Sequence, residues 1–174
     1  MAHLEGQIVI NRPVEVVFDF VADERNEPRF NPRMRRVEQI SAGPIGLGTQ
    51  FRAETLSMGR TVEMVIEFTT FERPRQLASH THMSSMDIRG TLTFEPVPEG
   101  TVMHWLWEME PRGILRLMTP MITCMGRRQE QTIWTSLKRY LEEQEMQHML
   151  LSLTSPPSWI DLRLLFAHIH INAL

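Results

Sequence analysis

The chain has 174 residues, 42% of them hydrophobic and 22% charged, with 18 lysines and arginines against 21 acids and a formal net charge of −3, which describes one domain with a sizeable core. Its basic residues form no long run, so the electrostatic footprint of a nucleic-acid binder is missing. The single cysteine, Cys124, excludes an internal disulfide and a multi-thiolate zinc site, and no apolar stretch approaches the ~20 residues of a transmembrane helix. A cytoplasmic protein is expected.

The N-terminal MAHLEGQIVI enters a strand-like pattern directly, without the charged and then apolar regions of a secretory signal, and the mature protein is expected to begin there. Leu4 to Ile10 reads as a first strand. The period then changes. Val14, Val17, Phe18 and Val21 fall at i, i+3, i+4 and i+7, the stripe of an amphipathic helix, with Pro13 beside its first turn and Asn11 available as a cap. Asn26 to Pro32 (NEPRFNP) has a proline near each end and is expected to form a short second helix or a tight connector.

From Met34 to Glu110 the pattern is β throughout. Six strands are expected: 34–41, 49–56, 60–72, 76–82, 86–95 and 101–110. They are separated by short turn clusters, which favour antiparallel neighbours. Side-chain parity predicts one apolar face, with Phe51 and Ala53, then Val62, Met64, Ile66 and Phe68, then Met86, Ile88, Gly90, Leu92 and Phe94. In the last strand Met103, Trp105, Trp107 and Met109 share that face, opposed by His104, Leu106, Glu108 and Glu110. Bulky residues in such a row need an apolar layer above them.

A helix supplies it. Thr119-Pro120 reads as a helix start, and the helical stretch is expected to end near Met146. Met121, Ile122, Met125, Ile133, Leu137, Tyr140 and Leu141 form its inner stripe, while Arg127, Arg128, Glu130, Lys138, Arg139, Glu142 and Glu143 are expected mostly outside. Gly126 suggests close approach to the sheet or room for a ligand. Residues 1–146 are thus expected to form the domain, and 147–174, with Pro156-Pro157, Trp159, His168 and His170, a weakly ordered or docked tail.

The order of elements resembles the helix-grip fold of the START-like, Bet v 1-like (SRPBCC) superfamily, in particular its polyketide cyclase/dehydrase-type branch. The resemblance is carried by INRPVEVVFDFVADERNEPRFNP, GPIGLGTQF and GTLTFEPVPEGTVMHWLWEMEPRG. It implies an α+β domain in which a curved antiparallel seven-stranded sheet wraps a long C-terminal helix, with two short helices between the first two strands and a cavity between sheet and helix. Parity and resemblance together make Phe30, Phe51, Met64, Trp105, Trp107, Met121 and Met125 the expected lining. The expected partner is a hydrophobic or amphipathic small molecule, with no cofactor and no metal.

Chemistry is harder to find. His104, Asp87 and Glu108 have the parity of the polar face, and the strand carrying His80 and His82 is ambiguous, because Leu77, Ser79 and Thr81 compete for the inner side. His80-x-His82 provides two of the three ligands a catalytic zinc usually takes. Cys124 has no identifiable base partner. The glycines of GPIGLG precede a strand rather than a helix, so they read as a hairpin connection and not a phosphate cradle. Arg33, Arg35 and Arg36 read as a solvated charge run. Three functions fit: carriage of an apolar ligand, a cyclase- or dehydratase-like enzyme using the same cavity, and a partner-binding protein or homodimer docking through the tail. A buried acid or histidine with a second polar group in hydrogen-bond reach would favour the enzyme over the carrier.

Overall fold

The computed structural model describes residues 2–57, 59–113 and 119–154, with the side chains of 119–125, 148 and 152–154 outside the description. Alternating sequences build seven strands, β1 (Ala2–Ile10), β2 (Met34–Gln39), β3 (Gln50–Ser57), β4 (Arg60–Glu72), β5 (Gln76–Met83), β6 (Met86–Val97) and β7 (Gly100–Pro111). They form one sheet in the order β1-β7-β6-β5-β4-β3-β2, every neighbouring pair antiparallel. From β2 to β7 each strand pairs with the next. β1 lies at the far edge beside β7, and the chain crosses to β2 through α1 (Val14–Ala22) and a 3-10 helix (Glu24–Arg29). This is the helix-grip arrangement, completed by α2 (Thr119–Thr154).

Strand ends lie within one or two residues of those expected, which is the ordinary uncertainty of element boundaries. The final helix differs more. It is 36 residues long and continues to Thr154, past the expected end near Met146. The physical reason is local: residues 147–155 hold no proline or glycine, and the first strong helix breakers are Pro156 and Pro157. The chain divides into two units, Met1–Glu142 and Glu143–Leu174. Trp159, His168, His170 and the rest of 155–174 lie outside the described residues.

One face of the sheet carries the core. The predicted stripe of α1 is buried at Val14, Val17, Phe18 and Val21, and Phe18 meets Phe71 and Phe94 edge-on at 5.3 and 5.2 Å. Burying one such phenylalanine contributes up to about 3 kcal/mol. Ile133, Trp134, Leu137 and Leu141 of α2 belong to the same buried cluster. Lys138 Nζ donates to the Val9 carbonyl at 2.7 Å and Glu142 Oε1 accepts the Asn11 N–H at 2.8 Å, which ties the helix to the corner between β1 and α1.

Two glycines decide how the tryptophans lie. Gly6 pairs with Trp105 and Gly90 with Trp107, and in each case a Cβ on the glycine would overlap the indole ring. Each ring therefore covers its cross-strand glycine. A Cβ on Gly126 would come within 2.6 Å of Leu4 Cδ1, so α2 closes on β1 there, as the glycine in the helical pattern suggests. Gly90→Ala is expected to destabilise the protein by about 1–3 kcal/mol. Gly46→Ala, whose Cβ would meet open space, should stay within about 0.5 kcal/mol. Urea melts of the two variants check this, and equal effects would refute the ring-over-glycine packing.

Candidate functional site

The expected lining residues separate into two groups. Phe30, Trp105 and Trp107 meet around a residue not anticipated, Trp134 of α2, with ring centroids 6.4, 5.8 and 6.4 Å from it. Phe51, fully buried, instead packs on Phe68 at 5.5 Å, and Met64 pairs with Ala53 and packs half-buried against the core. Phe51 belongs to the same buried cluster as Trp105 and Trp134, and Met64 packs against that cluster. The side chains of Met121 and Met125, like that of Cys124, lie outside the described residues.

A cleft of about 370 Å³ opens beside the tryptophan group, lined by Leu4, Glu5, Trp105, Arg127, Glu130 and Gln131. Glu130 connects it to the interior. Trp107 Nε1 donates to Glu130 Oε2 at 2.7 Å, and the carboxyl is pushed up to about 7, first by burial and then by the charge of Glu27, against the lowering effect of the Trp107 hydrogen bond. Trp134 Nε1 is near enough to act on the same carboxyl, yet it has no partner at hydrogen-bond distance.

Glu27 arrives from the 3-10 helix. Asp23 caps that helix by accepting the Arg25 N–H at 3.2 Å and holds the Arg25 guanidinium through two contacts of 2.7 and 2.8 Å. Buried Asn31 donates from Nδ2 to Glu27 Oε1 at 2.7 Å, and its own Oδ1 accepts the Arg33 N–H at 3.1 Å. Glu24 and Glu27 keep part of their surface exposed while their carboxyl groups are withdrawn from water. Burial raises both, and Glu24 is held well above the ordinary carboxylate range by burial and by the charge of Glu27. Two acids so placed share a proton more readily than they ionise together.

Glu130 corrects the expectation that it faces outward. It lies i−3 from Ile133, i−4 from Trp134 and i−7 from Leu137, all buried, so helical phase alone puts it on the inner stripe. Its charge argued for the wrong side. The phase signal, with a tryptophan one turn away to donate to it, was present in the sequence. Glu24 and Glu27 left a weaker trace, two acids three apart in a segment that reads as a connector.

The other candidate groups lie on the opposite face. Pairing of Leu77 with Leu92 and of His82 with Asp87 puts Leu77, Ser79 and Thr81 inward and both histidines outward, which settles the ambiguous strand. Asp87 collects His82 Nδ1 at 2.7 Å, His80 Nε2 at 3.8 Å and the Arg112 guanidinium. Its pKa is lowered, chiefly by the His82 hydrogen bond. Glu108 lies 3.8 Å from His3. Among the described residues no group of three His, Cys, Asp or Glu is placed to hold a metal. In the GPIGLG connection Gly46 N–H donates to Thr49 Oγ1 at 2.8 Å and Gly48 N–H to the Phe68 carbonyl at 2.8 Å, so these two amides are engaged within the protein.

The sequence model of the family described as polyketide cyclase/dehydrase and lipid transport matches residues 1–142. The chain belongs to that family. Similar solved structures include a START superfamily protein from Mycobacterium smegmatis, 13% identical, with a TM-score of 0.72 over 82% of this chain and 99% of that one. A protein from Thermus thermophilus is 16% identical, with a TM-score of 0.68 over 88% and 99%. The Zhui aromatase/cyclase from a Streptomyces species is 14% identical, with a TM-score of 0.65 over 80% and 93%. At these identities the likeness is one of fold. No curated protein matches the sequence, and no described helix is long and apolar enough to cross a membrane.

For this member of the polyketide cyclase/dehydrase and lipid-transport family, Glu130 makes stability depend on pH. A carboxyl that ionises near 4.5 when unfolded and near 7 when folded binds a proton preferentially in the folded state. Its contribution is complete below pH 4.5 and is lost as pH rises to about 7, amounting to at most about 3 kcal/mol. Thermal melts at pH 5 and pH 8 should show the wild type losing stability. Glu130→Gln should lose less, keeping only the part due to Glu24 and Glu27. A variant whose fall equals that of the wild type would show that Glu130 is not the titrating group.

Proposed function

We propose that the protein binds, and carries or presents, a hydrophobic or amphipathic small molecule between its sheet and α2, in the cytoplasm. The observation that carries this reading is the cleft in which Leu4 and the Trp105 ring lie beside the buried carboxyl of Glu130, with Glu5, Arg127 and Gln131 completing the lining: an apolar surface with polar groups around it suits an amphipathic small molecule. Trp105, Trp107 and Phe30 are assigned as its apolar wall. In this reading Met121 and Met125 extend the wall along α2, and Phe51 and Met64 serve the remoter part of the cavity.

Burial drives the binding. About 200 Å² of apolar ligand surface removed from water contributes roughly 5 kcal/mol before the costs of ordering. The cleft volume is at the small end for ligand pockets, which suits a compact aromatic, isoprenoid or polyketide-like molecule, or one end of a lipid. The family's description, which joins cyclases and dehydrases with lipid transport, supports the same class of ligand.

Glu130 favours a second reading, a cyclase- or dehydratase-like enzyme. A buried carboxyl that titrates near 7 with an indole donor at 2.7 Å can both accept and return a proton at neutral pH. It meets the requirement of a buried acid with a second polar group in reach.

Native mass spectrometry of gently purified protein, followed by denaturing extraction, tests the binding reading. An apolar molecule is expected to accompany the wild type and to be lost in Trp105→Ala. Gln131→Trp, which fills the cleft from an exposed position, should also lose it without opening the core. A protein that carries no molecule and takes up no hydrophobic dye would overturn the reading. If the ligand is turned over, Glu130→Gln should retain binding while lowering the rate by about 10²-fold or more.

A further inference from the structure

The 3-10 helix at Glu24–Arg29 leads from α1 to β2, and none of its six residues is fully buried. Apolar burial within the segment therefore does little to hold it. Its cap is the Asp23–Arg25 pair at the surface, and the strand it leads into lies at the edge of the sheet, with an irregular register between Met34 and Arg36. What it sends inward is Glu24 and Glu27. Glu27 Oε1 accepts from the buried Asn31 side chain at 2.7 Å, and Glu24 shares a hydrogen bond with Glu27. Directly after the segment, the Phe30 ring lies 6.4 Å from that of Trp134, one turn along α2 from Glu130, and the charge of Glu27 acts on Glu130 across this contact.

The surrounding charges do not neutralise this group. On the segment, Arg25 and Arg29 act on Asp23. On α1, Asp19 is held by Arg73. On the side of β2, Arg33 and Arg35 are exposed and Arg36 pairs with Glu38. On α2, Arg127 lines the cleft from an exposed position. The charges that act on Glu24 and Glu130 are those of Asp23 and Glu27, all of one sign.

We propose that this segment is a strap, held shut while its two carboxyls and Glu130 share protons and driven outward when they ionise. Like charges in a layer of low dielectric repel strongly, and an ionised carboxyl regains its hydration only by reaching water. Glu130 is fixed to α2 and held by Trp107, so the strap, which has no fully buried residue of its own, is the part that yields. Each carboxyl binds its proton more tightly in the shut state than in the open one. Shutting is therefore favoured fully below the ordinary carboxylate range and is lost as pH rises, through about 7 for Glu130 and in the same direction for Glu24 and Glu27. Outward movement carries Phe30 off Trp134 and uncovers the aromatic group. That this movement admits and releases a ligand rests on the binding reading above; the movement itself does not.

Hydrogen exchange separates the strap from the rest of the fold. The amides of Asn26, Phe30 and Asn31 are bonded within it, to the carbonyls of Asp23 and Glu27. Corrected for intrinsic rate, they are expected to exchange about tenfold faster at pH 8 than at pH 6, with little dependence on low urea, the mark of a local opening. Glu27→Gln keeps the shape and the acceptor for Asn31 but removes the charge, and should bring that ratio to within about twofold. Glu63→Gln removes an exposed acid of β4 and should leave the ratio unchanged. A wild-type strap that exchanges equally at both pH values, one that exchanges only through the urea-dependent unfolding seen by the β6 amides, or a full ratio in Glu27→Gln would each overturn the inference. Release of bound Nile red, timed by stopped flow, tests the gate and should quicken from pH 6 to pH 8 in the wild type but not in Glu27→Gln. A release rate indifferent to pH would overturn the gating role. A wild type that takes up no Nile red would count against the binding reading, while the exchange result still decides the strap.

Discussion

A carboxyl group buried between a sheet and a helix needs a donor in that layer, and here the donor is the indole of Trp107. The 2.7 Å hydrogen bond from its Nε1 to Glu130 joins the last strand to the final helix. It depends on Gly90, because only a residue without a Cβ lets the Trp107 ring occupy its place on the sheet. Trp134 then stacks on Trp107 with an interplanar angle of 15° and gathers Phe30 and Trp105. Displacing one indole would disturb both the apolar wall and the carboxyl anchored in it, so the packing of the site and its protonation behaviour form one problem.

The fold could be read from the sequence because its signals are periodic and redundant. The stripe at Val14, Val17, Phe18 and Val21 and the alternation from Met103 to Met109 each report a buried face several times over, so a single out-of-phase residue does not blur the pattern. Where the signal came from a single feature it was less reliable. The strand of His80 and His82 has small and polar residues on both sides, so parity could not orient it, and only its pairing with Leu92 and Asp87 on β6 did. The end of α2 was placed too early because a shift in composition was read as a boundary where no helix breaker stands.

The site was less legible for a related reason. Trp105, Trp107 and Phe30 announce themselves by size, but Glu130 was assigned by its charge when its helical phase said the reverse. Burial of an acid depends on partners distant in sequence, Trp107 on a strand and Glu27 on the 3-10 helix, and no local pattern encodes their convergence. Trp134 escaped notice because the inner stripe was drawn through its aliphatic neighbours. A tryptophan one turn from an acid on a helix, with a second tryptophan on the facing strand, is the sequence trace of this arrangement.

The position of β1 beside β7 has a consequence for how the molecule comes into being. Ala2 pairs with Met109, so the first strand made has its partner more than a hundred residues later, and contacts of such long range slow folding. Until β7 and α2 have left the ribosome, the apolar side of Leu4 and Ile10 has neither a neighbouring strand nor a covering helix, a state that favours aggregation. The proposed site therefore has no half-built working form: Leu4 and Phe30 come from near the start of the chain, Trp105, Trp107 and Glu130 from the last third of the described residues, and the two sets meet only once that third is in place.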